Sequence, residues 1–198
     1  MEVTNVNVYG LDESIIASGL PMRESYDESV FESQTLGLDH SWDNPHFTRA
    51  CKLAYNPTAS GHLTFLSGVV VQMNITATVK WWEQWQRYHF QQIVSSMSTM
   101  HRLRKMMKEG TISFNEKTSH SVIDAFMQLL NDESVTDETL AYSCPMGIEL
   151  TARVTTNYLQ LKTMHNQRKN HRLKEWHKFC DFIRGLPYAS QFIVGEDE

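Results

Sequence analysis

Cysteine is scarce in this 198-residue chain, and the three present, Cys51, Cys144 and Cys180, are too far apart to form a C-x-x-C pair. Zinc-ribbon and redox-pair readings fail on that spacing, and a reducing, cytoplasmic setting is expected. Buried filler is the favoured reading of each cysteine over a thiol nucleophile. Neither G-x-G-x-x-G nor G-x-x-x-x-G-K-[ST] occurs, so the usual Rossmann and P-loop phosphate cradles are excluded. G-x-S-x-G and H-E-x-x-H are missing too, which removes the common hydrolase elbow and zinc-protease readings. The longest apolar runs, such as Val69-Val70-Val71, are far too short to span a bilayer. No basic-then-apolar leader is read at the start, and no membrane partner is expected.

Histidine is plentiful, at nine residues, which invites a metal reading. His165, His171 and His177, however, are spaced so that successive ones lie about 240° apart around a helix. They cannot converge on one ion from one face, and no metal is expected. The remaining composition is that of an ordinary folded domain, with 41% hydrophobic and 11% aromatic residues, enough for one core spanning residues 1–198. A net charge of -5 and 21% charged residues argue against global disorder and against a nucleic-acid partner.

The start, from Val3 to Tyr9, alternates apolar and polar residues and predicts a strand with one buried face. Gly10 ends it, and Asp12 is expected to cap a short helix through Ile15 and Ile16 to Gly19. Residues 23–45 are acidic and read as a mobile loop ending at Trp42-Asp43-Asn44-Pro45, followed by a short helix from Phe47 to Tyr55 and a turn over 58–61. Val69 to Thr78 is β-branched and alternating, the second strong strand. Val79 to Lys108 contains no glycine or proline and predicts one long helix. Residues 120–131 and the stretch through Leu140 are helical, and Ile148 to Thr155 is ambiguous between strand and helix. Asn157 to Arg184 predicts a second long helix, basic on one side, and Gln191 to Val194 a short strand. The acidic tail Glu196-Asp197-Glu198 is expected to fray.

Most informative is Trp81-Trp82-Glu83-Gln84-Trp85-Gln86-Arg87-Tyr88-His89-Phe90 and its continuation to Arg102. Arg87, His89, Ser95, Ser96, Ser98, His101 and Arg102 place polar groups along an otherwise apolar segment. An unpartnered buried polar group costs about 1–3 kcal/mol. A phosphate-bearing ligand would satisfy such a set, as would water or a neighbouring subunit, and these residues alone leave the two readings level.

The segment resembles the flavin-dependent thymidylate synthases, whose motif R-H-R-x-x-S-x-N-E-x-S-x-R follows an apolar strand and a Gln-Trp pair. Here the matching residues are Gly68 to Ile75, Gln84-Trp85, and Arg87 at the first motif arginine. A second segment resembles the family in the order Pro145, Asn157, Arg168, with Glu175 one residue from the family glutamate. Together the segments cover roughly residues 62 to 178. This sequence departs from the motif at the second arginine (His89), the first serine (Gln92), the Asn-Glu pair (Val94-Ser95), and the last serine and arginine (Met97 and Thr99), with Ser98 and Arg102 close by. The arginine expected before Pro145 falls on Ala141.

The resemblance implies an α/β (α+β) fold, a central, mainly antiparallel sheet flanked by long helices. It implies FAD as cofactor, methylene-tetrahydrofolate and NADPH as co-substrates, and methylation of dUMP or a related pyrimidine deoxynucleotide in a homotetramer. It assigns Arg87, Tyr88, His89 and Asn157 to the cofactor, and Arg102, Ser98, Arg168 and Arg172 to the substrate. Ser98 and Arg168 are the catalytic candidates. Arg168 and Arg172, four apart, are expected on one face of the last long helix. Tryptophans 82 and 85 and Tyr88 offer rings for stacking, with core packing as the commoner use of a tryptophan. His89 is mostly neutral at pH 7 unless a phosphate or carboxylate holds its proton. The alternative is a non-catalytic nucleotide-binding or sensing protein on the same fold.

Overall fold

The computed structural model describes residues 1–57 and 60–195. The expected turn at Thr58 and Ala59 and the tail Glu196-Asp197-Glu198 lie outside the described residues. Four strands, β1 (Glu2–Tyr9), β2 (Val70–Thr78), β3 (Gln91–Ser96) and β4 (Glu149–Asn157), form one antiparallel sheet in the order β1-β2-β4-β3. The described helices are α1 (Leu11–Ala17), α2 (Glu28–Thr35), α3 (Pro45–Ala54), α4 (Val79–Trp85), α5 (Thr99–Lys108), α6 (His120–Asn131), α7 (Asp137–Ser143), α8 (Tyr158–Arg168) and α9 (Lys174–Arg184). The expected α+β class with an antiparallel sheet is what the chain adopts. The chain divides into two compact units, Met1–Asn5 with Met73–Val154, and Val6–Gln72 with Thr155–Glu198.

β2 bears out its pattern. Val71, Met73, Ile75 and Ala77 are buried, while Gln72, Asn74 and Thr76 between them are only half-buried. The ambiguous stretch at Ile148–Thr155 resolves as β4, where Ala152, Val154 and Thr156 alternate inward.

In the first unit the expected helix Val79–Lys108 is instead α4, β3 and α5. α4 starts where the Thr78 hydroxyl accepts from the Trp81 amide. Its end is fixed by tertiary bonds that no helical periodicity reveals. Trp85 donates through Nε1 to the Gln91 side-chain oxygen at 2.5 Å, and the Gln91 amide donates to the Tyr88 carbonyl at 3.2 Å. That closes a turn over 86–90 and sets the β-branched pair Ile93-Val94 in a strand, which suits it better than a helix. Ser98 then caps α5. Trp81, Trp82 and Trp85 pack together with ring centroids 5.0–6.1 Å apart. Leu103, Phe126, Leu130, Leu140 and Ile148 form a core between α5, α6, α7 and β4. Arg104 closes that core's rim. Its guanidinium donates to the carbonyls of Leu130, Asp132 and Val135 and lies 3.5 Å from the Asp137 carboxylate.

In the second unit α1 is preceded by Gly10 in the left-handed region (φ 71°), and Gly10 rather than Asp12 is its N-cap. Asp12 sits in the first turn and accepts from His40 Nε2 at 2.7 Å. Residues 28–35, read as loop, form α2. Asp27 caps it by accepting from the amides of Ser29 and Val30, a signal present in the sequence as Asp followed by a polar helical turn. The expected helix Asn157–Arg184 breaks at 169–173 into α8 and α9. The His171 ring accepts from the Leu173 amide at 3.1 Å, and His177 Nε2 bonds the His171 carbonyl at 2.6 Å, so the connection satisfies its own backbone without glycine or proline. The expected strand at Gln191–Val194 is a π-helical turn, Ser190–Val194, that buries Phe192 and Ile193. Lys162 holds it, donating to the carbonyls of Phe192 and Ile193 at 3.4 and 3.2 Å. Tyr158 donates to the Pro187 carbonyl at 2.8 Å.

Candidate functional site

The sequence-derived candidates fall into two groups, one in each unit. In the first unit Arg87, Tyr88 and His89 lie in the turn between α4 and β3, not on a helix as expected. Arg87 and His89 are exposed and Tyr88 is half-buried. The turn is held by amide bonds from Arg87 to the Gln84 carbonyl and from Tyr88 to that of Trp85. Ser98 accepts from the Met100 amide at 3.2 Å as N-cap of α5, and its own hydroxyl proton is not used in that bond. Arg102, four residues on, projects from the exposed side of the same helix. Trp82 and Trp85 are buried in the core, as the commoner use of tryptophan would have it. Trp82 donates to the Leu150 carbonyl at 3.1 Å.

In the second unit Asn157 stands at the start of α8, as expected, and its side chain accepts from the Gln160 amide at 2.8 Å. Arg168 is the last residue of α8, Arg172 lies in the connection, and Glu175 is buried in the first turn of α9. The expected single helical face for Arg168 and Arg172 is therefore corrected: Arg168 ends α8 and Arg172 lies in the connection that follows. Arg168 stacks over Trp176, its guanidinium carbon 4.7 Å from the ring centroid. Partial burial, and then the positive charges of Arg168, His177 and Arg172, lower the pKa of His171 below the usual histidine value. Sequence reasoning missed Trp176 as the residue that orients Arg168, because the helix break between them moves it off helical spacing.

Carboxylates are absent from Gln84 through Lys108 and from Gln167 through Lys174. The first group is thus a cationic donor set with no acidic side chain in its own stretch, a chemistry that suits phosphate oxygens, while the second borders the buried carboxylate of Glu175. Among the cysteines, Cys51 and Cys180 are buried, and burial pushes the Cys144 thiol up to about 11, so Cys144 is not poised as a thiolate. Among the described residues no three His, Cys, Asp or Glu side chains cluster as a metal site, and no helix is long and apolar enough to cross a membrane.

The fold is similar to that of solved flavin-dependent thymidylate synthase structures. Two solved structures of thymidylate synthase ThyX from Helicobacter pylori, each with FAD and dUMP, match at a TM-score of 0.72 and 14% identity. Both matches cover 99% of this chain, with 98% of one neighbour and 99% of the other. A likeness at that identity is one of fold. No protein-family model matches the chain, and no curated protein matches it.

Proposed function

We propose that the chain is a divergent flavin-dependent thymidylate synthase-like enzyme. It would transfer a one-carbon unit from methylene-tetrahydrofolate to a pyrimidine deoxynucleotide, dUMP or a relative, as a cytoplasmic homotetramer using FAD and NADPH. The observation that carries this reading is the end-to-end fold match to proteins solved with FAD and dUMP.

The donor sets on this chain fit both groups. Arg87, Tyr88, His89 and Asn157 are assigned to the cofactor, whose diphosphate would accept from the exposed Arg87 and His89. Flavin, when bound, supplies hydride, and the protein's task is to bind, orient and exclude water. Arg168, stacked on Trp176, and Arg172 would hold the nucleotide phosphate, and Arg102 is assigned to the substrate as well. Ser98, with its hydroxyl proton available, would donate to the substrate. No cysteine is asked to act.

The freshly purified protein should be yellow or take up FAD. It should release tritium from ring-labelled dUMP or dCMP when methylene-tetrahydrofolate and NADPH are present. A folded protein that does neither removes this reading.

A second reading, nucleotide binding or sensing without flavin chemistry, is favoured by His89 at the second arginine and Val94-Ser95 at the Asn-Glu pair. It predicts a thermal shift with a nucleotide in the absence of flavin, since a ligand at 100 times its Kd adds about 2.7 kcal/mol. No shift with any nucleotide, flavin present or absent, rejects it.

A further inference from the structure

The proposed tetramer leaves open which surfaces meet, and two exposed surfaces of the chain carry matching chemistry. The first is the segment from Met22 to Leu36, which includes α2. No residue of α2 is buried, Met22 and Leu36 are 86% and 87% exposed, and Tyr26 and Val30 are also exposed. Glu24, Asp27, Glu28 and Glu32 are exposed among them, against the single cation Arg23, which bonds Gln34 within the segment.

The second surface runs from the edge strand β3 into α5. Phe90 is 68% exposed and Val94 57%, and Met97 and Met100 are exposed as well. β3 is the last strand of the sheet order, with β4 as its neighbour there. Along α5, His101, Lys105 and Lys108 follow one another at four- and three-residue steps, so they line the face opposite the buried Leu103 and Met106. Thr99–Lys108 contains no carboxylate. Lys105 meets Glu109 at 3.5 Å, both more than half-exposed, a pair weak enough to exchange.

Each surface therefore combines large exposed apolar side chains with charge mainly of one sign, and the signs are opposite. Apolar patches rimmed by charge mark association sites, and complementary charge fixes the partner and the register. We infer that α2 and its flanks on one copy of this chain dock on the β3–α5 surface of a second copy. Leu36, on the same side of α2 as Glu28 and Glu32, then meets Phe90 and Val94, and the two glutamates meet Lys105 and Lys108. The inference adds surfaces to the proposed assembly and rests on that assembly alone. Its test reads mass and cross-linking, so its failure leaves the flavin and nucleotide tests standing.

Native mass spectrometry of the full chain should show an assembly that dissociates as salt is raised. Lys105→Glu/Lys108→Glu should weaken it by about tenfold or more. Mixing that variant with Glu28→Lys/Glu32→Lys should restore association between the two, each alone being impaired. Glu32→Cys mixed with Lys105→Cys should give a disulfide-linked pair of chains under oxidation, which keeps the test open if a reversed variant fails to fold. A monomeric wild type, an unimpaired Lys105→Glu/Lys108→Glu assembly, or no cross-link between the two cysteine variants each overturns the inference.

Discussion

The guanidinium carbon of Arg168 sits 4.7 Å from the centre of the Trp176 ring. Trp176 is fully buried, so the ring is a fixed platform at the junction of α8 and α9. Stacking uses the face of a guanidinium and keeps its N–H donors in the plane of the group. Arg168→Ala should weaken dUMP binding by one to two orders of magnitude, roughly 1.5–3 kcal/mol for a hydrogen bond to a charged group. Arg168→Lys should recover little, because an ammonium neither stacks nor forks. Isothermal titration on both variants measures this, and unchanged affinity in folded Arg168→Ala places the phosphate elsewhere.

His171 reports on the same loop. Burial first, and then Arg168, His177 and Arg172, lower its pKa below 6.5 in the folded protein. Below 6.5 the unfolded chain then binds the proton more readily, so this residue's contribution to stability is complete above 6.5 and falls away as pH drops toward the lowered folded value. Its ring resonances should titrate with a midpoint below 6.5. Arg172→Ala should move the midpoint up, and a nucleotide phosphate bound at Arg168 and Arg172 should do the same. A midpoint indifferent to dUMP at saturation would contradict the assigned phosphate position.

Arg104 ties the end of α6 to the start of α7 through the carbonyls of Leu130, Asp132 and Val135. Arg104→Ala should destabilise the protein by roughly 2–3 kcal/mol, since it leaves those acceptors short of a charged donor. Arg104→Lys should recover only part, because one ammonium cannot reproduce the fork. Urea denaturation gives the number, and a change under ~0.5 kcal/mol would mean that water replaces the side chain.

Gly10 is left-handed at φ 71°, and a Cβ there would meet the Gly68 carbonyl oxygen at 2.7 Å. Gly10→Ala therefore adds a clash with backbone to an unfavourable φ, at about 1–3 kcal/mol. A lowered Tm of that order is expected. An unchanged Tm would show that β1 can end differently.

Cys144 has its pKa raised to about 11 by burial. At neutral pH the thiolate is rare, so iodoacetamide should label it slowly. Cys144→Ser should keep flavin-dependent activity within a few-fold. Abolished activity in a folded Cys144→Ser protein would return a thiol nucleophile to consideration.

Elements governed by local pattern were legible: β2 from its alternation, α1 from the stop at Gly10, α6 from its apolar spacing. Elements governed by remote partners were not. Nothing between Val79 and Lys108 breaks a helix locally. The turn at 86–90 exists because Trp85 bonds Gln91 and Gln91 bonds Tyr88. The break at 169–173 likewise depends on the His171 ring acting as an acceptor for the backbone. Asn157 stands at the start of the expected helix, and its side chain does cap α8. The platform under Arg168 escaped notice because Trp176 belongs to the next helix.

The tryptophans divide unequally, Trp81, Trp82 and Trp85 in the first unit and Trp42 and Trp176 in the second. Trp81 and Trp85 are stacked at 5.1 Å with their planes 28° apart, and Trp82 meets both edge-on. Three coupled indoles should give a bisignate circular-dichroism band that vanishes as soon as the first unit loosens. Trp176 belongs to the second unit and stands apart from that cluster, under the Arg168 guanidinium. One cuvette can thus follow the loss of the first unit's packing without any added dye.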